Sequence, residues 1–171
     1  DNLAKLSYQK TAEYLALLQM VGRNVSQREL AEFLEDFAHL IKAFDDVGGE
    51  IAMGHAVAAV RKVTIESLSN TDSEVSSLQE SRSTFESIKA SSKQPLPVRI
   101  SFTCTPYFGL PERKFNCRLT VAVGEKAPRM GLALIHRELH KQEMAEQAVQ
   151  QLSAELGSEM PVYVGSYKPK Q

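Results

Sequence analysis

The chain has 171 residues, 43% of them hydrophobic and 24% charged, with 20 Lys and Arg against 21 Asp and Glu for a formal net charge of −1. That length suffices for one ordinary domain burying roughly two-thirds of its unfolded surface, and 9 Gly with 7 Pro exclude a disordered, collagen-like or low-complexity chain. No apolar run approaches the ~20 residues of a bilayer span, no signal peptide opens the chain, and the charge balance argues against coating of nucleic acid by bulk electrostatics.

The charge is unevenly spread. Residues 1–60 hold 5 basic against 9 acidic side chains and residues 101–171 hold 9 against 7, so an acidic front precedes a mildly basic back. Cys104 and Cys117 are too few for a secreted disulfide framework and fit a reducing compartment. The chain opens at Asp1 rather than Met, which leaves room for a preceding region.

In chain order, Thr11 is positioned to cap a helix carrying Tyr14, Leu15, Leu18 and Val21, and Gly22-Arg23-Asn24 makes a short turn. Ser26 and Glu29 form a capping box, after which Leu30, Phe33, Leu34, Phe37, Leu40, Ile41 and Phe44 recur at helical spacing. This pattern predicts a five-turn helix ending at Asp45-Asp46-Val47-Gly48-Gly49, paired with the first helix as an antiparallel hairpin. A third helix is expected from Ile51 to about Lys62, and the alternation of Val63 and Ile65 suggests a strand. Ten of the 26 residues from Ser67 to Ser92 are Ser, and this segment stays open between a polar helix, edge strands and a loop.

From Pro97 the alternation is clean. Val98, Ile100, Phe102 and Cys104 point one way, as do Phe115, Cys117, Leu119, Val121 and Val123, with a hairpin connection through Pro106 to Glu112. Met130, Leu132 and Leu134 suggest a third strand. Arg137 to Leu156 reads as an amphipathic helix burying Ala145, Ala148, Val149, Leu152 and Leu156, stopped by Gly157 as by a left-handed cap. A last strand from Pro161 to Gly165 is expected to return to the sheet. The whole chain, 1–171, is therefore expected to be one α+β domain, with N-terminal helices packed on a mainly antiparallel sheet and a C-terminal helix and final strand.

Chemistry-bearing constellations are sparse. His136 and His140 have the spacing of a two-histidine metal site, but Arg137 stands where a zinc hydrolase motif needs Glu, so two ordinary polar residues are the safer expectation. Asp45, Asp46 and Glu50 lack the alternating pattern of a calcium loop. Cys104 and Cys117 would stand opposite one another in a symmetric hairpin, expected as small apolar residues in a reduced core. No dinucleotide or phosphate loop and no Gly-x-Ser-x-Gly elbow is present. The chain therefore reads as leaning away from an enzyme, with no cofactor and no metal.

Two charged surfaces remain. The exposed face of the Pro97–Val123 hairpin carries Arg99, Lys114 and Arg118, with Arg113 at the turn and Tyr107 and Phe108 at the tip, an arrangement able to hold single-stranded nucleic acid. The acidic side of the Ser26–Phe44 helix, with Glu29, Glu32, Glu35 and Asp36, offers either a nucleic-acid mimic or a solvated face.

The run YLALLQMVGRNVSQRELAEFLEDF, with DNLAKLSYQKTAEY, AAVRKVTIES, QPLPVRISFTCTPYFGL and KFNCRLTVAV in the same order, resembles the YfdQ-like family of bacteriophage and prophage proteins. The similarity runs over nearly the whole chain, as the C-terminal part of a longer family pattern. It implies a phage-encoded protein in the bacterial host cytoplasm, encoded among early genes near recombination functions, and it brings no catalytic residues with it. The leading expectation is thus a non-enzymatic protein that binds a host or phage partner in DNA recombination, replication or defence evasion. Single-strand binding by Arg99, Arg113, Lys114 and Arg118 is the alternative, and a metal-dependent hydrolase at His136 and His140 a remote third. No membrane partner is expected, and pairing between copies through a sheet edge or the helices is a further option.

Overall fold

The computed structural model describes residues 4–63, 95–122, 128–157 and 159–165. Its elements are α1 (Ala12–Met20), β1 (Val25–Ser26), α2 (Gln27–Asp36), β2 (Ile41–Phe44), β3 (Glu50–Ile51), α3 (Met53–Lys62), β4 (Arg99–Cys104), β5 (Arg113–Ala122), β6 (Arg129–Leu134) and α4 (Arg137–Leu156). The six strands form one sheet in the order β1-β6-β5-β4-β2-β3, every neighbouring pair antiparallel. This is the α+β class that segregated helical and alternating patterns imply.

Local chemistry sets the helix starts. Thr11 Oγ1 accepts the Tyr14 N–H at 3.3 Å and donates to the Thr105 carbonyl at 2.6 Å, so one hydroxyl caps α1 and ties it to the end of β4. Ser26 Oγ accepts the Glu29 N–H at 3.1 Å and begins α2. The α2 side chains Leu30, Ala31, Phe33 and Leu34 are buried, and the helix packs chiefly on α3. Gln27 closes that contact by donating to the Val60 and Val63 carbonyls at the end of α3, at 2.9 and 2.5 Å.

The expected five-turn helix stops at Asp36, and its last four residues are strand β2. Leu40, Ile41 and Phe44 fit a helical period, but Ile41-Lys42-Ala43-Phe44 also alternates. As a strand it pairs along its whole length with β4 and buries Ile41 and Ala43. Ile51 likewise leaves the expected third helix for β3, and α3 begins at Met53. The chain between α1 and α2 is more than a turn: it adds β1 to the edge of β6, and α2 takes α3 rather than α1 as its main helical neighbour.

The β4–β5 and β5–β6 pairs form the centre. Inward-facing Ile100, Phe102, Phe115, Cys117, Val121, Met130 and Leu132 are almost wholly buried, under Leu17, Leu30 and Leu34 from the helices. Phe102 stacks on Phe33 with centroids 5.9 Å apart, and Phe115 on Tyr14 at 5.1 Å. Gly131 lies where the chain before β1 crosses β6; a Cβ there would meet the Arg23 carbonyl oxygen at 2.3 Å, so only glycine admits the crossing.

Three expectations near the C-terminus are corrected. Met144 is the buried residue of α4, Ala148 is only partly covered and Leu156 is exposed, so the contact with the core runs into the third turn, through Gln147 and Ala148, and is lost by the C-terminal end. Gly157 has φ 74° but ψ −175°, so it ends α4 with a positive φ outside the left-handed helical region. Residues 161–165 form no strand; Tyr163 and Val164 are strongly exposed, and β1, β2 and β3 supply the outer strands instead. The strand expected at Ile65, the Ser67–Ser92 segment and Val123 lie outside the described residues.

Candidate functional site

Because strand side chains alternate, the residues paired across the sheet sort into two faces. The inner face is covered by helices. The outer face carries Lys42 from β2, Glu50 from β3, Arg99 from β4, Lys114 and Arg118 from β5 and Arg129 from β6, all exposed. Among the described residues of these strands five cations stand with one carboxylate, Glu50, which Lys42 engages at 3.1 Å. In a chain of net charge −1 this is a strongly polarised surface.

The register gives it a direction. Arg99 stands directly opposite Arg118, Thr103 opposite Lys114, and Ala122 opposite Arg129. Cations thus recur along β5 at 114, at 118 and beside 122, four residues apart, which is about 13 Å per step at the rise of an antiparallel strand. Ser101, Thr103, Asn116, Thr120 and Ala133 fill positions between, Phe44 stands opposite Arg99, and at Gly131 the chain before β1 lies over the face. The result is a shallow basic track over the centre of the sheet.

Arg113 does not belong to this track. It has the parity of Phe115 and Cys117, so it faces inward, and its side chain is only 14% exposed. There it pairs with Glu143, donates to Gln147 Oε1 at 3.1 Å and lies 3.3 Å from His140 Nδ1, all three on α4. The guanidinium is the polar fastening of α4 to the hairpin. Of the four basic residues singled out in the sequence, Arg99, Lys114 and Arg118 share the outer face and Arg113 does not; Lys42 and Arg129 join them, legible only once β2 and β6 are placed.

The other constellations resolve into structural roles. His136 is exposed and holds a left-handed backbone (φ 56°) one residue before α4, whereas His140 is half-buried, tilted against Phe115 at 5.0 Å and beside Arg113. Burial and the Arg113 charge push the His140 pKa down, with the His136 charge adding to them and Glu143 opposing. A guanidinium at that distance opposes a metal cation, and among the described residues no cluster of three or more His, Cys, Asp or Glu could hold one. Cys104 faces Arg113 and Cys117 faces Ile100, so the thiols are four residues out of register and not opposite one another. Both are free and buried, and burial pushes each thiol up to about 12.

The acidic groups are engaged as well. Asp45 Oδ1 accepts the Val47 and Gly49 N–H groups at 3.0 and 2.6 Å, fixing the β2–β3 turn. On α2, Glu29 meets Arg23 at 3.8 Å, Glu32 meets Arg28 at 2.7 Å and Glu35 meets Arg61 at 2.8 Å. That helix face is an ion-pair lattice rather than a bare anionic surface. A pocket of about 160 Å³ lies under the hairpin tip, lined by Tyr8, Tyr107, Leu110 and Met144, and falls below the size of ordinary ligand sites.

Comparison with known proteins gives one assignment. The family model described as "Uncharacterized conserved protein (DUF2303)" matches residues 1–167, and the chain belongs to that family. No curated protein matches the chain, and no solved structure does.

Proposed function

We propose that this member of the family acts by binding, and that the outer sheet face docks the phosphate backbone of single-stranded nucleic acid. The observation that carries the reading is the concentration of Lys42, Arg99, Lys114, Arg118 and Arg129 on one face of a chain whose total charge is −1. Phosphates gain affinity from such cations by releasing counterions, so a track along one strand suits a chain of regularly spaced charges. The resemblance to phage proteins supports a setting in a bacterial host, in recombination, replication or defence evasion.

The test is fluorescence anisotropy with a labelled single-stranded oligothymidylate across a salt series. Changing Arg99, Lys114 and Arg118 together to Ala weakens binding and flattens the log–log salt slope by about 2, given a slope of about 0.7 per phosphate contact on single strands. Unchanged affinity and slope remove the face from consideration. The same charge pattern also suits an acidic host or phage protein; capture from lysate that survives nuclease treatment, with no oligonucleotide binding, favours that partner.

A further inference from the structure

The loop joining β4 to β5 closes beyond the Cys104–Arg113 pair, at the Lys114 end of the basic track. At its tip the Leu110 N–H bonds to the Tyr107 carbonyl at 3.1 Å, enclosing a turn in which Phe108 is followed by Gly109 at φ 92°. A glycine with positive φ at the third position marks a type II turn, which fixes the backbone of the residue before it. The base of the turn is anchored on both sides. Leu110 is buried, the Tyr107 ring packs on Tyr14 with centroids 5.6 Å apart, and the Phe108 N–H donates to the Gln9 carbonyl at 3.0 Å.

Phe108 nevertheless stands 64% exposed on this braced tip. The turn holds its backbone in place while its neighbours Tyr107 and Leu110 pack inward. Rigid aromatic presentation lowers the ordering cost of a contact, and a π-face accepts any base, provided the base is free of its complement.

We propose, resting on the nucleic-acid reading above, that Phe108 is a base-stacking residue at the end of the basic track and selects single strands over duplex. The track neutralises backbone phosphates and carries no information about strandedness. Phe108 supplies that information, because a paired base inside a duplex offers it no open face.

The chain contains no Trp, so Phe108→Trp installs a sole Trp at the tip, read by excitation beyond the absorption band of the five Tyr. Titrating this variant with single-stranded oligothymidylate quenches its emission, while a duplex of equal length leaves it nearly unchanged. Phe108→Ala weakens single-strand affinity by about fivefold or more, the range of one lost stacking contact, with the salt slope unaltered because no phosphate contact is lost. Unquenched emission at saturation together with parental affinity of Phe108→Ala overturns the stacking role and leaves the basic-face reading standing. Equal quenching by duplex overturns the selectivity. Failure of the unsubstituted protein to bind either probe overturns both readings, and circular dichroism of each variant confirms that the exposed substitution leaves the fold intact.

Discussion

Arg99 and Arg118 are direct cross-strand partners on the outer face, two cationic residues at facing positions of the β4–β5 ladder in the centre of the sheet. Like charges placed opposite one another cost an antiparallel pair some tenths of a kcal/mol, up to about 1. Changing Arg118 to Glu turns the repulsion into attraction. The expected outcome is a urea midpoint raised by an amount corresponding to about 0.5 kcal/mol and a lower affinity for single-stranded oligothymidylate. Stability and binding moving in opposite directions is the signature; a parallel loss of both contradicts it.

The hold of α4 on the sheet is concentrated in Met144 and in the Arg113 fastening. Arg113→Ala is expected to cost about 1–2 kcal/mol, less than a fully buried charged hydrogen-bond network because Glu143 is 42% exposed and partly screened by solvent. Met144→Ala costs about 2 kcal/mol or more as the core contact is lost. Hydrogen exchange followed by mass spectrometry checks the locality: protection falls across α4 and stays at parental levels in β4, β5 and β6.

His140 makes this fastening pH-dependent. Its folded-state pKa lies below the ordinary value of 6.5, so between the two the unfolded chain binds more protons than the folded one. Its contribution is therefore present above pH 6.5 and lost as pH falls through the lower folded value. Protonation places an imidazolium against Arg113, with Glu143 as the offsetting charge and His136 adding to the repulsion. His140→Gln removes this part of the pH slope in denaturant unfolding measured from pH 7.5 down to pH 5; an identical slope in both proteins excludes His140 as its source.

Gly131→Ala tests the crossing of the chain over β6. The new Cβ would sit 2.3 Å from the Arg23 carbonyl oxygen and 3.0 Å from Thr120 Oγ1. The nearer atom is backbone and has no side-chain rotamer by which to move aside. A loss of at least about 2 kcal/mol, in the range of overpacking, is expected. Gly54→Ala is the control, since nothing lies within 4 Å of its added Cβ.

Much of this architecture was written in the local pattern. The alternation at β4 and β5, the caps at Thr11 and Ser26 and the limits of α4 follow from short-range periodicity and hydrogen-bonding chemistry. What failed was set at long range. The hairpin register depends on a loop braced by residues 8–11, so symmetry alone misplaced Cys104 against Cys117. Residues 37–44 satisfy two periods at once, and pairing with β4 decides between them. Two-residue strands have too little sequence to show any period. Arg113 was the one legible misassignment, for the alternation that put Phe115 and Cys117 inside puts Arg113 there too.

The two stubs that finish the sheet, β1 and β3, have a bearing on how copies of this chain meet. Each outer ladder is only two residues long, and beside β1 the flank of β6 is taken by Val21 and Gly22, whose N–H reaches the Leu132 carbonyl at 2.9 Å. Among the described residues an incoming strand meets a ladder of only two residues at either margin, a short template to extend.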